Sequence, residues 1–254
     1  MICSFSRFAA LALALSAALP ALAQTAPAPL QSELVTTGLY VIRGGGANTV
    51  VRFSSSGLVL VDAKAPGEFR PLMSQVHKLT KLSDAPVRAL LLTSGGPAHA
   101  GNVVELESAG ARVVADRGLV ARLPAASASA VAPRVDFDRE YAMRLGGAQV
   151  RVRHVDGMHP GGDNVVLFPD LRILAAGALF DPAAPPPATP ADAALARTAL
   201  AQVLALDFDR VVPATGPVVP RARLEERMAE LDALASVNAN ANANATEARR
   251  TASR

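Results

Sequence analysis

The stretch Leu91-Leu-Thr-Ser-Gly-Gly-Pro-Ala-His-Ala-Gly-Asn102 decides how this chain is read. It begins at the end of an apolar run, Val87 to Leu92, whose near-continuous hydrophobicity suits a strand buried on both faces. Small residues and a single imidazole, His99, then fill a loop from Thr93 to Gly101 that is expected to lead into a short helix. Ala111-Arg-Val-Val114 reads as the next strand. The unit is strand, loop, helix, strand, with the loop at the carboxyl end of a strand, where α/β proteins place their sites.

Working outward, Leu39-Tyr-Val-Ile42, Asn48-Thr-Val-Val-Arg-Phe53 and Leu58-Val-Leu-Val-Asp62 are β-branched or aromatic runs separated by Gly44-Gly-Gly46 and Ser54-Ser-Ser-Gly57. Leu72, Val76 and Leu79 recur at helical spacing, and Ser83-Asp-Ala-Pro86 stops that helix. On the other side, Pro124 to Pro133 reads as a loop. Tyr141 to Leu145 is expected to pair with Ala148 to Val155 across Gly146-Gly147, and Asn164 to Phe168 with Leu171 to Leu174 across Pro169-Asp170. A proline-rich link, Pro182 to Pro190, ends in a helix start with Thr189 as cap and Pro190 at the first position. Leu195, Ala199, Val203 and Leu206 form the predicted apolar face of that helix. A strand at Arg210-Val-Val212 and a last amphipathic helix carrying Leu224, Met228 and Leu231 complete the fold.

The chain divides into a secretory signal (1–23), one domain (24–237) and a low-complexity tail (238–254) rich in Asn-Ala repeats, read as disordered. The signal has Arg7, an apolar run from Phe8 to Leu19, and Ala21-Leu-Ala23 before Gln24 as an Ala-x-Ala cleavage site. The run is shorter than the ~20 residues that cross a bilayer, so no membrane span is expected after cleavage. Cys3 is the only cysteine, and it lies in the signal, so the mature chain has no thiolate to offer a metal. The roughly 230 remaining residues are enough for one α/β domain. Formal net charge is +3 for the whole chain, from 25 basic and 22 acidic residues, with no basic stripe, which argues against nucleic acid as a partner. The Ala, Pro, Val and Arg bias fits a GC-rich bacterial genome and, with the signal, a periplasmic or secreted protein.

Several motifs, in order, resemble the metallo-β-lactamase superfamily. Its metal loop reads Thr-His-x-His-x-Asp-His-x-Gly-Asn, and here Ser94 and Gly96 replace its first two histidines and Ala98 its aspartate, leaving His99. Gly157-Met-His-Pro-Gly-Gly-Asp163 resembles the block with the third histidine of the first metal position, giving His159. Leu174-Ala-Ala-Gly-Ala-Leu-Phe180 resembles the strand end with a bridging carboxylate, and Ala178 stands in its place. Leu206 to Pro217 resembles the closing Pro-Gly-His-Gly segment, with Thr215 where the histidine would be, and Asp62 matches a supporting aspartate. The resemblance spans roughly Gly38 to Leu234 and implies an α/β, αββα four-layer sandwich of two mixed sheets flanked by helices.

It also implies a degenerate zinc site. Of seven ligand positions, five carry Ser94, Gly96, Ala98, Ala178 and Thr215, and the remnants His99 and His159 belong to different metal positions. A catalytic zinc needs about three protein ligands before its water ionises near pH 7. The expectation is therefore a pseudoenzyme with no catalytic residue and no cofactor beyond zinc at low occupancy, binding an unidentified small molecule or periplasmic protein. The alternative is an atypical single-metal or metal-free hydrolase of esters, thioesters or β-lactams. Asp62 and Asp163 are expected to support the loops, and His77 and His154 to be structural.

Overall fold

The computed structural model describes residues 29–80, 85–130, 132–159 and 161–236. The signal and the tail lie outside the described residues.

The chain begins as a meander: β1 (Gln31–Thr36), β2 (Leu39–Arg43), β3 (Thr49–Ser54) and β4 (Gly57–Val61) pair antiparallel in order. Helix α1 (Phe69–Thr80) then crosses to β5 (Val87–Leu91), which lies parallel to β4. A single helical turn, α2 (Pro97–Ala100), and helix α3 (Val103–Ser108) lead to β6 (Arg112–Asp116), α4 (Arg117–Arg122) and β7 (Val135–Phe137), both strands parallel to β5. The second sheet contains β8 (Glu140–Leu145), β9 (Ala148–Val155), β10 (Asp163–Phe168) and β11 (Ile173–Gly177), all antiparallel. Helix α5 (Pro190–Leu204), β12 (Arg210–Pro213) parallel to β11, and β13 (Val219–Pro220) follow, and residues 222–236 form helix α6. The sheets have seven and six strands among the described residues.

Three apolar layers explain why the sheets stack. Residues alternate along the strands, so Leu90 and Leu92 meet Leu72, Val76, Leu106 and Leu119 of the helices on one side. Leu91 and Val114 instead face Val152 and Phe168 of the second sheet. On the far side, Val165 and Leu174 meet Ala196, Leu200 and Val203 of α5 and Leu224 and Leu231 of α6. The order is helix, sheet, sheet, helix, the expected four-layer αββα sandwich.

Local chemistry matches the expected turns. The β8–β9 hairpin closes on Gly146 and Gly147, at φ 47° and 89°, and Leu145 pairs with Ala148 across it. Two left-handed residues twist the turn to match its strands, a geometry glycine adopts at no steric cost. Thr189 caps α5 by accepting from the Asp192 N–H at 3.1 Å, with Pro190 in the first turn. The predicted face of α5 is right at Ala199 and Val203 and wrong at Leu195, while Leu206 is half-buried just beyond the helix. Ala193, Ala196, Ala199, Leu200 and Val203 are buried, whereas Leu195 is 47 % exposed. In an alanine-rich helix the buried stripe can be made of alanines, which lets α5 approach the sheet closely, and the larger leucine points outward. The expected loop from Thr93 to Gly101 likewise contains α2, which carries His99.

A buried lysine holds the loop beside the site. Lys64 is 0 % exposed, and its Nζ donates to the carbonyls of Ile42 at 2.5 Å and Ala47 at 2.7 Å. Those carbonyls flank Gly44-Gly-Gly46, whose φ angles are 89°, 61° and 109°. A Cβ on Gly46 would stand 2.6 Å from the Ala65 nitrogen, so only glycine lets this bend lie on the Asp62–Ala65 segment. The Ala47 N–H donates to the Ala98 carbonyl at 2.9 Å, tying the bend to the loop that carries His99.

Burial pushes the Lys64 ammonium down to about 7, against the pull of the Asp62 and Glu68 carboxylates. Between about pH 7 and the unfolded value of 10.5, the unfolded chain binds a proton that the folded chain does not, so stability rises with pH across that window. Urea unfolding at pH 9 should therefore give a free energy greater than at pH 7 by on the order of 2 kcal/mol, and Lys64→Met should lose most of that increment. An equal rise in the variant would assign the pH dependence to other groups.

Candidate functional site

The site lies at the carboxyl ends of β4 and β5. Asp62 follows β4 in the left-handed region, at φ 63°, which turns its carboxylate toward β5. There Oδ1 accepts from the Thr93 N–H at 2.8 Å, and Oδ2 accepts from the Thr93 hydroxyl at 2.6 Å. His99 Nδ1 lies 2.8 Å from the same Oδ2 and 3.2 Å from Thr93 Oγ1. All three residues are buried. A buried carboxylate is costly unless its lone pairs are filled, and here both oxygens are engaged. Asn102 Nδ2 donates to the carbonyls of Ala63 and Ala65 at 2.6 and 2.7 Å, and the Ala63 N–H donates to the His99 carbonyl at 2.5 Å. The segment after β4 and the loop after β5 thus form one hydrogen-bonded unit.

Burial by itself would lower the His99 pKa, but the charge and hydrogen bond of Asp62, helped by Asp163 and opposed by Lys64, outweigh burial and raise it. His99 Nδ1 is committed to Asp62, which leaves Nε2 as the nitrogen available for other contacts.

A second carboxylate–imidazole pair comes from the β9–β10 connection. Asp163, buried at the start of β10, places Oδ2 2.5 Å from His159 Nδ1, while Oδ1 is buried with no partner among the described residues. The His159 side chain is 47 % exposed, so this imidazole faces the surface. Asn164 joins the two halves: its N–H donates to the Thr93 carbonyl at 2.8 Å, and its Nδ2 to the Leu92 carbonyl at 3.0 Å and Asp116 Oδ2 at 3.1 Å. Leu91 to Asn102 and Gly157 to Asp163 are therefore adjacent in space, as the expected fold requires. Asp116 also caps α4 by accepting from the Leu119 N–H at 3.0 Å.

The remaining positions converge on the same edge. A Cβ on Gly177, at φ 51°, would stand 2.0 Å from Thr93 Oγ1, so the end of β11 meets the end of β5 with nothing larger than glycine between them. Ala178 follows directly and is half-buried. Thr215 is exposed and donates to Asp181 Oδ2 at 2.7 Å. Its loop is held by the Asn48 N–H on the Ala214 carbonyl at 2.7 Å and by Asn48 Nδ2 on the carbonyls of Pro213 and Gly216, both at 3.0 Å. Ser94 accepts from the Gly96 N–H at 3.3 Å, and Ala98 is exposed. His77 is exposed on α1, and His154 lies 3.3 Å from Asp156 Oδ1 and 3.9 Å from Asp116 Oδ2.

Sequence reasoning singled out Asp62, His99, His159 and Asp163 but passed over Thr93, Asn102, Asn164 and Lys64. Each of these is a polar residue beside an apolar strand, a signal that names burial without naming a partner.

These residues do not fit a catalytic zinc. Each imidazole faces a carboxylate through Nδ1 and so would have only Nε2 to offer, both Asp62 oxygens are engaged, and no group of three or more His, Cys, Asp or Glu that could hold a metal gathers among the described residues. Three protein ligands are the usual minimum for such a site.

No family model matches the chain, and no curated protein matches it. Solved structures do match. A metallo-β-lactamase from Pontibacter korlensis is similar at TM-score 0.66 and 20 % identity, over 80 % of this chain and 99 % of that one. The metallo-β-lactamase FIM-1 from Pseudomonas aeruginosa, in its mono-zinc form, is similar at TM-score 0.67 and 19 % identity, over 84 % and 99 %. The stereoselective inverting sec-alkylsulfatase Pisa1 from Pseudomonas sp. is similar at TM-score 0.68 and 16 % identity, over 85 % of this chain and 43 % of that one. The fold is that of the metallo-β-lactamases.

Removing the Asp62 carboxylate leaves a buried N–H, a hydroxyl and an imidazole without their acceptor. Asp62→Ala should lower the urea unfolding free energy by roughly 3–5 kcal/mol. A loss below about 1 kcal/mol would mean that water replaces the carboxylate and that the unit is not held as described.

Proposed function

We propose that this chain uses its metallo-β-lactamase fold as a metal-free pseudo-hydrolase, exported to the periplasm, that binds a small ligand or a partner protein at the Asp62–His99 cleft. One observation carries this reading: of the seven positions that the motif resemblance assigns to zinc ligands, five hold Ser94, Gly96, Ala98, Ala178 and Thr215, and Thr215 is engaged with Asp181. Without three ligands to lower the pKa of a bound water, the fold has no hydroxide to deliver at neutral pH. Small, weakly polar residues at those positions, with His99 and His159 each oriented by a carboxylate, suit hydrogen-bonded recognition over metal chemistry. Export rests on the leader, Met1 to Ala23, whose removal would leave Gln24 as the first residue.

A second reading is favoured by the carboxylate–imidazole pairs. Metal-ligating histidines donate their other ring nitrogen to a carboxylate, and Asp62 and Asp163 hold His99 and His159 in that manner. A single ion held by the two Nε2 atoms, with further ligands from water or substrate, would then serve a hydrolase of esters, thioesters or β-lactams.

Metal content separates the two. The chain purified without chelator should carry less than about a tenth of an equivalent of zinc, iron or manganese, and the His99→Ala/His159→Ala variant the same. About one equivalent in the parent and none in the variant would overturn the pseudo-hydrolase reading in favour of the single-metal one.

A further inference from the structure

At the end of the sandwich opposite the candidate site, the two sheets part beside the starts of β5 and β6. Arg88 lies five residues before Thr93 along the chain, about 16 Å at ~3.3 Å per residue, so the two places are distinct. The crevice there has a volume of about 280 Å³ and is lined by Val114, Tyr141, Met143 and Leu145, with Arg88 and Arg112 beside them. Tyr141, Met143 and Leu145 alternate along β8, the edge strand of its sheet, and are only half-buried against the inter-sheet core. Among the described residues no strand lies beyond β8 to cover them.

The two arginines give this apolar crevice a sign. Arg112 pairs in register with Ala89, the residue after Arg88, so the guanidinium groups stem from neighbouring strands. Both side chains are exposed, and neither forms a salt bridge among the described residues. Arg88 commits its Nε to the Ser56 carbonyl at 3.2 Å, which leaves its terminal nitrogens available. The nearest acid of β8, Glu140, stands in register with Arg153 of β9. Two like charges beside an apolar cleft repel each other and attract an anion that carries an apolar body. A carboxylate matches the planar donor fork of arginine. The volume is about twice the ~150 Å³ that holds benzene in an engineered apolar cavity, enough for a tail of roughly eight carbons.

We propose that this crevice binds a medium-chain aliphatic carboxylate, with its tail between the sheets and its carboxylate between Arg88 and Arg112. The test titrates the full chain, carbon-13 labelled at its methionine methyl groups, with octanoate and in parallel with octan-1-ol. The Met143 methyl resonance, assigned with Met143→Leu, should shift saturably with octanoate, and the alcohol should need at least about tenfold more for the same shift. Arg88→Gln and Arg112→Gln, which alter exposed side chains, should each weaken octanoate by about tenfold and leave the alcohol unchanged. An unmoved Met143 resonance, equal affinity for acid and alcohol, or octanoate binding indifferent to both arginine variants would each overturn the proposal.

Discussion

The carboxylate of Asp62 is the contact on which the site edge of the molecule depends. It sits where a buried strand ends, and a strand end leaves backbone groups that must find partners. By turning into the left-handed region, Asp62 receives both the N–H and the hydroxyl of Thr93, and so joins the ends of β4 and β5. The same oxygen receives His99. The loop after β5 is then held at its start through Thr93, at its middle through His99 and at its end through Asn102 on the carbonyls of Ala63 and Ala65. These three anchors fix the course of the loop between β5 and α3.

From that anchor, the second sheet is brought into register. Asn164 bonds the backbone at Leu92 and Thr93, and the glycine at 177 lets the end of β11 come against the Thr93 hydroxyl. Residues far apart in the chain meet at one edge because four strands end there together. Fold and chemistry separate cleanly here: the backbone arrangement depends on strand packing and the supporting hydrogen bonds, and reactivity would depend on a handful of side chains that packing does not require.

Much of the architecture was legible in the sequence because its signals are local. Apolar runs in β4, β5 and β10, the glycine pair at 146 and 147 and the Thr189-Pro190 cap each state their own geometry. Other elements were not legible. The edge strand β1, Gln31-Ser-Glu-Leu-Val-Thr36, is largely exposed and lacks a buried run, and β7 and α4 have only 3 and 6 residues. The stripe of α5 was displaced because periodicity weighs leucine above alanine, whereas close packing favoured Ala193, Ala196 and Ala199 and left Leu195 outside.

The sequence by itself determined the order of the elements, the glycines at forced turns and which polar side chains lie in the loops after β5 and β9, because all three are properties of residues or of short windows. From these follows the sandwich. Only the tertiary structure decided which polar groups pair: Asp62 with Thr93 and His99, Asp163 with His159, Thr215 with Asp181, and Lys64 with two carbonyls on the preceding hairpin. The physical reason is that a hydrogen bond is satisfied by position in space, to within a few tenths of an ångström, and partners on different strands and loops, as Asp62 and His99 are, acquire that position only when the chain has folded.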